Sequence, residues 1–354
     1  LATYLIFAAI KSAIVLWILL TAVAYTVWLE RKVIGRMQNR WGPTRVGPFG
    51  LLQPLADGIK FILKEDVTPP QAHKLLFIAA PILSVVLALV SISVVPFGDT
   101  LPVGPWKTAL QITGGPTASG GVGDINIALL IILGVTSIAV YGVALSGWSS
   151  NSKYSLLGSL RASAQMISYE LSLGLALVGV LILAGTLSLR GIVDAQTGQY
   201  FGLLPHWFIF PQILGFFIYL VSAYAETNRI PFDLPEAETE LVAGYHTEYS
   251  SMKFAMFFMA EYTNMVTVAC VATLLFFGGW HGWVPTSWPP LAVALVPVFW
   301  FALKAFLFIF LYIWVRGTLP RFRYDQLMAF GWKVLLPLAV LNIVITSLIV
   351  ALNG

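Results

Sequence analysis

Two glutamates stand inside apolar runs, Glu170 in ISYELSLGLAL and Glu261 in FMAEYTNM. A carboxylate in hydrocarbon is costly, so each needs a partner or a task. Glu170 falls about nine residues into its run, ~14 Å at 1.5 Å per residue, and Glu261 lies at a similar depth in another. Glu226 closes a third run and opens the segment AETNRIPFDLPEAETELVAGYHTEYSS. That segment sets Glu226, Asp233, Glu236, Glu238, Glu240 and Glu248 against only Arg229 and a titratable His246. Crowded carboxylates repel, which moves some proton affinities toward neutral pH. The pattern reads as a proton-accepting funnel leading to Glu261 and Glu170, with Tyr169, Tyr245, Tyr249 and Tyr262 available to complete a hydrogen-bonded chain. Plainer readings stand beside it: the loop as an acidic docking surface, and the two buried acids as helix-to-helix braces. Lys304 lies within an apolar run and is a candidate partner for one of the acids.

A second constellation is Glu30–Pro70, ERKVIGRMQNRWGPTRVGPFGLLQPLADGIKFILKEDVTPP. Within it Leu51–Lys64 has helical periodicity. Leu51, Leu52, Leu55, Ile59, Ile62 and Leu63 share one face, and Gln53, Asp57, Lys60 and Lys64 the other. At ~14 residues this helix is too short to span; it should lie on the membrane surface, apolar face down. Arginines at a lipid–water boundary beside apolar walls suit the rim of a cavity for an amphipathic ligand. They suit lipid-phosphate anchoring equally well.

The elements that must hold these residues follow from composition. The chain is 58% hydrophobic and 10% charged, against roughly a quarter charged in water-soluble domains. Lipid is the solvent it fits. Apolar runs at about Thr3–Leu29, Lys74–Val95, Asp124–Gly147, Arg161–Leu187, Trp207–Ala225, Met252–Gly278, Leu291–Val315 and Gly331–Leu352 predict about eight spanning helices. The expected fold is an all-α integral membrane protein, one polytopic domain over 1–354, with cytoplasmic segments at 30–73 and 226–251. Sixteen Lys and Arg fall in loops on one side and two, Lys107 and Arg190, on the other. By the positive-inside bias the first side is cytoplasmic and both termini are periplasmic. The opening run is longer than a signal-peptide core and has no small-residue cleavage site. The absence of a targeting segment fits a bacterial plasma (inner) membrane. Pro81, Pro297 and Pro337 are expected to kink their helices.

One cysteine, Cys270, excludes an internal disulfide or a multi-cysteine cluster. The four histidines sit near run ends, so no haem is expected. No dinucleotide fingerprint follows a strand, and no flavin, iron–sulfur, metal or nucleic-acid pattern stands out.

At these same residues the sequence resembles the H-type membrane subunits of proton-pumping NADH:quinone oxidoreductase, respiratory complex I. The stretches ERKVIGRMQNRWGPTRVGPFGLLQPLADGIKFILKED, SGWSSNSKYSLLGSLRASAQMISYE, AETNRIPFDLPEAETELVAGYHTEYSSMKFAMFFMAEYTN and RFRYDQLMAFGWKVLLPL carry the likeness over nearly the whole chain. The resemblance implies a subunit without a redox centre that joins the membrane arm to the peripheral arm. It would line much of the tunnel for a quinone reduced in a partner. Implied partners are the quinone-reducing and iron–sulfur subunits, small and antiporter-like membrane subunits, and lipid. Arg31, Arg40 and Asp57, with Gln53 on the same surface helix and Phe258, look like quinone-tunnel residues. Glu170, Glu226, Asp233, Glu236, Glu238, Glu240, Glu248 and Glu261 look like proton-path carboxylates, with Arg229 among them and Tyr169 beside Glu170. Some relatives place a glutamate where this chain has Ser137. Two alternatives stay open: the homologous subunit of a ferredoxin-, deazaflavin- or hydrogenase-linked complex, and a stand-alone ion transporter.

Overall fold

The computed structural model describes residues 2–98, 100–103, 106–109, 125–200, 204–233, 244–284 and 290–353. The first helix, α1 (Ala2–Met37), runs eight residues past the expected Leu29. Nothing between Glu30 and Met37 breaks a helix except Gly35, whose missing side chain lets the returning backbone approach. A Cβ there would stand 3.0 Å from the Gly42 nitrogen. The chain turns back and forms α2 (Gln53–Leu63), with Pro54 in its first turn. This is the expected surface helix. Its apolar face is uncovered, Leu55 at 65% and Ile62 at 67% exposure.

The apolar helices follow as α3 (Lys74–Ser93), α4 (Ala128–Ser149), α5 (Lys153–Ala184), α7 (Ile213–Glu226), α8 (Ser251–Phe276), α9 (Pro290–Thr318) and the pair α10 (Tyr324–Phe330) and α11 (Leu336–Asn353). A seven-residue helix, α6 (Leu189–Ala195), lies in the connection after α5. Among the described residues seven spans are long and apolar enough to cross a membrane, the last being Tyr324–Leu352. The expected fifth span is shorter than its apolar run. It is helical only over Ile213–Glu226, ~21 Å against a ~30 Å hydrocarbon core, because Pro211 removes a donor and Phe208–Gln212 form turns instead. Pro337 alters the helix ladder just before it. It has no N–H for the carbonyl four residues back, and the ladder widens into a π turn over Gly331–Leu335, where the Leu336 N–H reaches the Gly331 carbonyl.

Strand structure among the described residues is limited to two antiparallel hairpins, β1 (Thr100–Val103) with β2 (Trp106–Ala109) and β3 (Gln199–Tyr200) with β4 (Leu204–Pro205). Helices α5 and α8 form the inside of the bundle. α5 packs on α4, α7 and α11, and α8 on α3 and α9. Tyr169, Tyr219, Tyr245 and Tyr262 are at most 2% exposed. The outer helices α1, α9 and α11 face outward with Trp17, Phe299, Leu307 and Leu348, an apolar surface that suits acyl chains and not water.

Lys304 is not an acid's partner. Its ammonium donates to the Phe277, Gly279 and His281 carbonyls at 2.8, 2.9 and 2.7 Å and lies 4.8 Å from the Trp207 ring centroid. It closes the end of α8 remote from the acidic loop, satisfying carbonyls that the helix end leaves open.

Candidate functional site

The charged end of the bundle is organised around α1. Among the described residues of α1, Leu19, Val23, Thr26 and Glu30 are the buried side chains, at helical spacing, so the stripe that packs α1 inward ends in a carboxylate. Glu30 accepts a hydrogen bond from the Tyr262 hydroxyl at 2.6 Å and is ion-paired with Arg316 of α9. Arg31, the next residue, points the other way. Its Nη1 donates to Asp57 Oδ2 at 2.8 Å, and Gln53 Nε2 donates to Asp57 Oδ1 at 2.7 Å. One turn of α1 thus ties the surface helix to the bundle interior.

From Tyr262 the polar groups continue inward. The Arg229 guanidinium lies 4.1 Å from the Tyr262 ring centroid and 5.6 Å from that of Phe258. Its Nη2 is 3.5 Å from Glu261 Oε2. Glu261 Oε1 accepts from the Tyr245 hydroxyl at 2.8 Å. An aromatic rail runs beside this chain from α2 down α8. Phe61, Phe254, Phe258 and Tyr262 follow one another at 6.2, 5.9 and 5.0 Å between centroids, the last three at the i, i+4 spacing that puts them on one helix face.

Gln165, fully buried in α5, positions the loop that delivers Arg229. Its amide donates to the Ala225 and Phe232 carbonyls at 2.8 Å each and to Asn228 Oδ1 at 3.2 Å. Asp233 at the far end of this turn pairs with Arg321 at 3.0 Å.

Two small cavities extend the polar chain. One is lined by Glu261, Tyr245, Asn264 and Glu226, the other by Glu226, Asn264, Thr267 and Thr136. Glu226 and Asn264 border both. Their volumes, about 30 and 20 Å³, hold a water or two each. Beyond Thr136 its neighbour Ser137 rests its hydroxyl on Glu170. The structure therefore brings Arg31, Gln53, Asp57, Phe258, Arg229, Glu261 and Glu226 into one succession across α2, α1, α8 and α7, while Glu170 of α5 meets Ser137 of α4, one residue past Thr136 and outside the lining of either cavity.

Other expectations fall elsewhere. Tyr169 donates its hydroxyl to the Leu327 carbonyl at 2.8 Å, away from any carboxylate, because adjacent helical residues face apart. Arg40 is exposed and bonded to Gln38 at 2.8 Å. Glu248 is partly exposed beside the buried turn Gly244–His246 and does not line either cavity. Glu236, Glu238 and Glu240 lie outside the described residues. Glu170 and Glu261 are not level as counted from their helix starts. They stand 17 residues after Lys153 and 10 after Ser251, ~26 and ~15 Å at 1.5 Å per residue, because α5 begins eight residues before the expected Arg161.

His246 is not a neutral-pH titrator. Packed on Tyr245 and Phe254 at 4.7 and 5.3 Å, it has its pKa driven down to about 4 by burial. Burial likewise pushes the Tyr249 phenol up to about 12, against hydrogen bonds from Ser149 and Ser150. For His246 the linkage sign is definite. Between its ordinary value and about 4 the unfolded chain binds the proton and the folded chain does not, so stability falls as pH falls. Acidification from pH 7 to 5 is expected to cost this region on the order of 2 kcal/mol, and His246→Phe to flatten that dependence in thermal denaturation of the assembled protein.

Known proteins share this sequence over its whole length. The profile of the family described as NADH dehydrogenase matches residues 10–347. The chain is 71% identical over 354 residues to the second H-type NADH-quinone oxidoreductase subunit of Koribacter versatilis, covering 99% of each. It belongs to the H-subunit family of NADH-quinone oxidoreductase. The second H-type subunit of Geobacter metallireducens is 53% identical over 350 residues, covering 99% of this chain and 97% of the relative. The H-type subunit of Thermomicrobium roseum is 52% identical over 348 residues, covering 98% and 96%. Membership in the H-subunit family makes this a multi-pass membrane subunit of an oxidoreductase complex, alongside that complex's other subunits.

Within this oxidoreductase subunit, sequence reasoning passed over Glu30, Arg316, Asn264 and Gln165 as site residues. Glu30 was legible. It continues the Leu19–Val23–Thr26 stripe once α1 is carried to the first true breaker. Arg316 is one of many arginines at helix ends, and nothing local separates it from a lipid anchor.

Proposed function

We propose that this chain walls the path by which a quinone reaches its reduction site, and that its buried carboxylates couple that reduction to proton movement. Reduction of a quinone to a quinol consumes two electrons and two protons; partner subunits supply the electrons. The observation that carries the reading is the succession from Asp57 on the surface helix through Arg31–Glu30, Tyr262, Arg229 and Glu261 to Glu226 and Glu170. A charge change at the α1–α2 end alters the electrostatic balance of Glu30 and Arg229, and through them the proton affinity of Glu261. Protons then pass by the hydroxyls and cavity waters between Glu261 and Glu170.

Arg31 and Asp57 are suited to steer the polar headgroup, while the uncovered Leu55, Ile59 and Ile62 guide an apolar tail from the bilayer. A cavity of about 600 Å³ lies between α1, α8 and α9. The large cavity includes none of Arg31, Arg40, Gln53, Asp57 or Phe258 in its walls, so a peripheral-arm subunit would supply the opposite wall. The relatives, each an NADH-quinone oxidoreductase subunit by name, favour NADH as the donor over a ferredoxin-, deazaflavin- or hydrogenase-linked complex. The charged end is read as cytoplasmic, in a bacterial inner membrane, with both termini periplasmic.

Arg31→Ala tests the quinone half. It frees Asp57, still held by Gln53, on a surface where an exposed ion pair contributes roughly 1 kcal/mol at most. Assembly should hold. Quinone-dependent turnover of the intact complex should fall at least fivefold while reduction of an artificial acceptor that bypasses quinone stays near normal. Equal losses in the two assays would assign Arg31 to assembly.

A further inference from the structure

The seam where α1, α8 and α9 meet opens into a cavity of about 600 Å³. Its lining is almost wholly carbon: Val15 and Ala22 of α1, Val266 of α8, and Ala302 and Ala305 of α9 among others. The small side chains at 22, 302 and 305 stand where larger ones would close the seam. Along α1 the wall runs from Val15 to Leu29, ~21 Å at 1.5 Å per residue, enough to take a chain through one leaflet of a ~30 Å core. A partner helix, about 10 Å across, would need nearly three times this volume over that length. A single flexible chain fits.

The same face of α1 changes character at the charged end. Tyr25 and Trp28 form the rim, edge to face at 6.4 Å. The Lys32 ammonium sits 5.9 Å from the Trp28 ring, and Arg36 follows one turn on, against Trp41 at 4.1 Å. An apolar slot one leaflet deep, an amphipathic aromatic rim and then two cations is the order of parts in an anionic phospholipid: acyl chain, glycerol ester, phosphate.

We propose that the α1–α8–α9 seam is a binding site for one anionic phospholipid. The acyl chain occupies the cavity, and the phosphate is held by Lys32 with Arg36 behind it. The chain would then lie beside Thr26 and Leu29, next to Glu30, and exclude water from that side of the Glu30–Arg316 pair. The site is distinct from the Arg31–Asp57 surface and does not depend on the function proposed for it.

The test uses the intact complex in nanodiscs of phosphatidylcholine, doped with phosphatidylglycerol carrying a diazirine in one acyl chain. Photolysis should label peptides spanning residues 15–29 and 298–309, at least fivefold above the same probe built on phosphatidylcholine. Ala302→Trp should cut that labelling at least fivefold, and the milder Ala302→Val should lower it partly, while labelling of the outward α11 face near Ile345 stays constant. Lys32→Ala should erase the preference for phosphatidylglycerol and leave tail labelling in place. The proposal is overturned by equal labelling from both headgroups in the wild type, or by no effect of either Ala302 variant. It is also overturned if the seam takes no label because another subunit covers it, or if a long-tailed quinone displaces the probe.

Discussion

Glu261→Gln is expected to abolish most proton translocation by the complex while the subunit still assembles. The amide keeps the shape of the carboxylate and can still accept the Tyr245 hydroxyl, now at 2.8 Å. It cannot take up and release a proton, and it removes the negative charge 3.5 Å from Arg229. Part of that loss is tolerable because the guanidinium keeps its place over the Tyr262 ring, a cation–π contact of about 1–2 kcal/mol when desolvated. In proteoliposomes of the intact complex, proton uptake per NADH oxidised should fall at least tenfold, with coupled quinone reduction slowed alongside it. Electron transfer to an artificial acceptor should be unchanged. Glu261→Asp keeps the charge but shortens the reach toward Tyr245, and should retain more activity than the amide. Wild-type pumping by Glu261→Gln would remove the carboxylate from the path.

How much of this was readable beforehand depends on what kind of interaction fixed each residue. Periodicity and hydropathy reported the bundle and the surface helix because lipid imposes those patterns residue by residue. The cost of a buried charge likewise singled out Glu170 and Glu261. Boundaries slipped where apolar character and helicity part company. α1 and α5 continue into charged sequence that is still good helix former, and the fifth span loses its beginning to Pro211. Pairings were not legible. Lys304 looked like an acid's partner by charge, yet three carbonyls at the end of α8 hold it. Gln165 carries no charge and no periodic signal, although it fixes the turn that holds Arg229. Asn264 joins the candidate site only because α7 places Glu226 on the walls of the same two cavities. Ser137 looked like a gap in the path, since some relatives carry an acid there, and in the fold its hydroxyl rests on Glu170.

The second large effect is expected at Glu30, and it separates bracing from conduction. Glu30 is 6% exposed, with Arg316 and Tyr262 both bound to its carboxylate. Glu30→Leu leaves the half-buried arginine without its carboxylate and the tyrosine hydroxyl without its acceptor. Losing one member of a buried pair costs about 3–5 kcal/mol, a large part of a typical margin of stability. Little assembled complex should be recovered. Adding Arg316→Met removes the uncompensated charge and supplies apolar volume, so Glu30→Leu/Arg316→Met should regain most of the assembly. A double-mutant cycle on thermal denaturation should then show coupling of about 2 kcal/mol or more, the range for contacting residues. Assembly and turnover should part in that double variant. If Glu30 only braces α1 against α8 and α9, quinone-linked pumping returns with assembly. If it transmits charge between the Arg31–Asp57 surface and Arg229, the complex assembles yet pumps at less than a tenth of the normal rate. The coupling role proposed for this end of the bundle predicts the second outcome, and full pumping by the double variant would leave Glu30 as a brace.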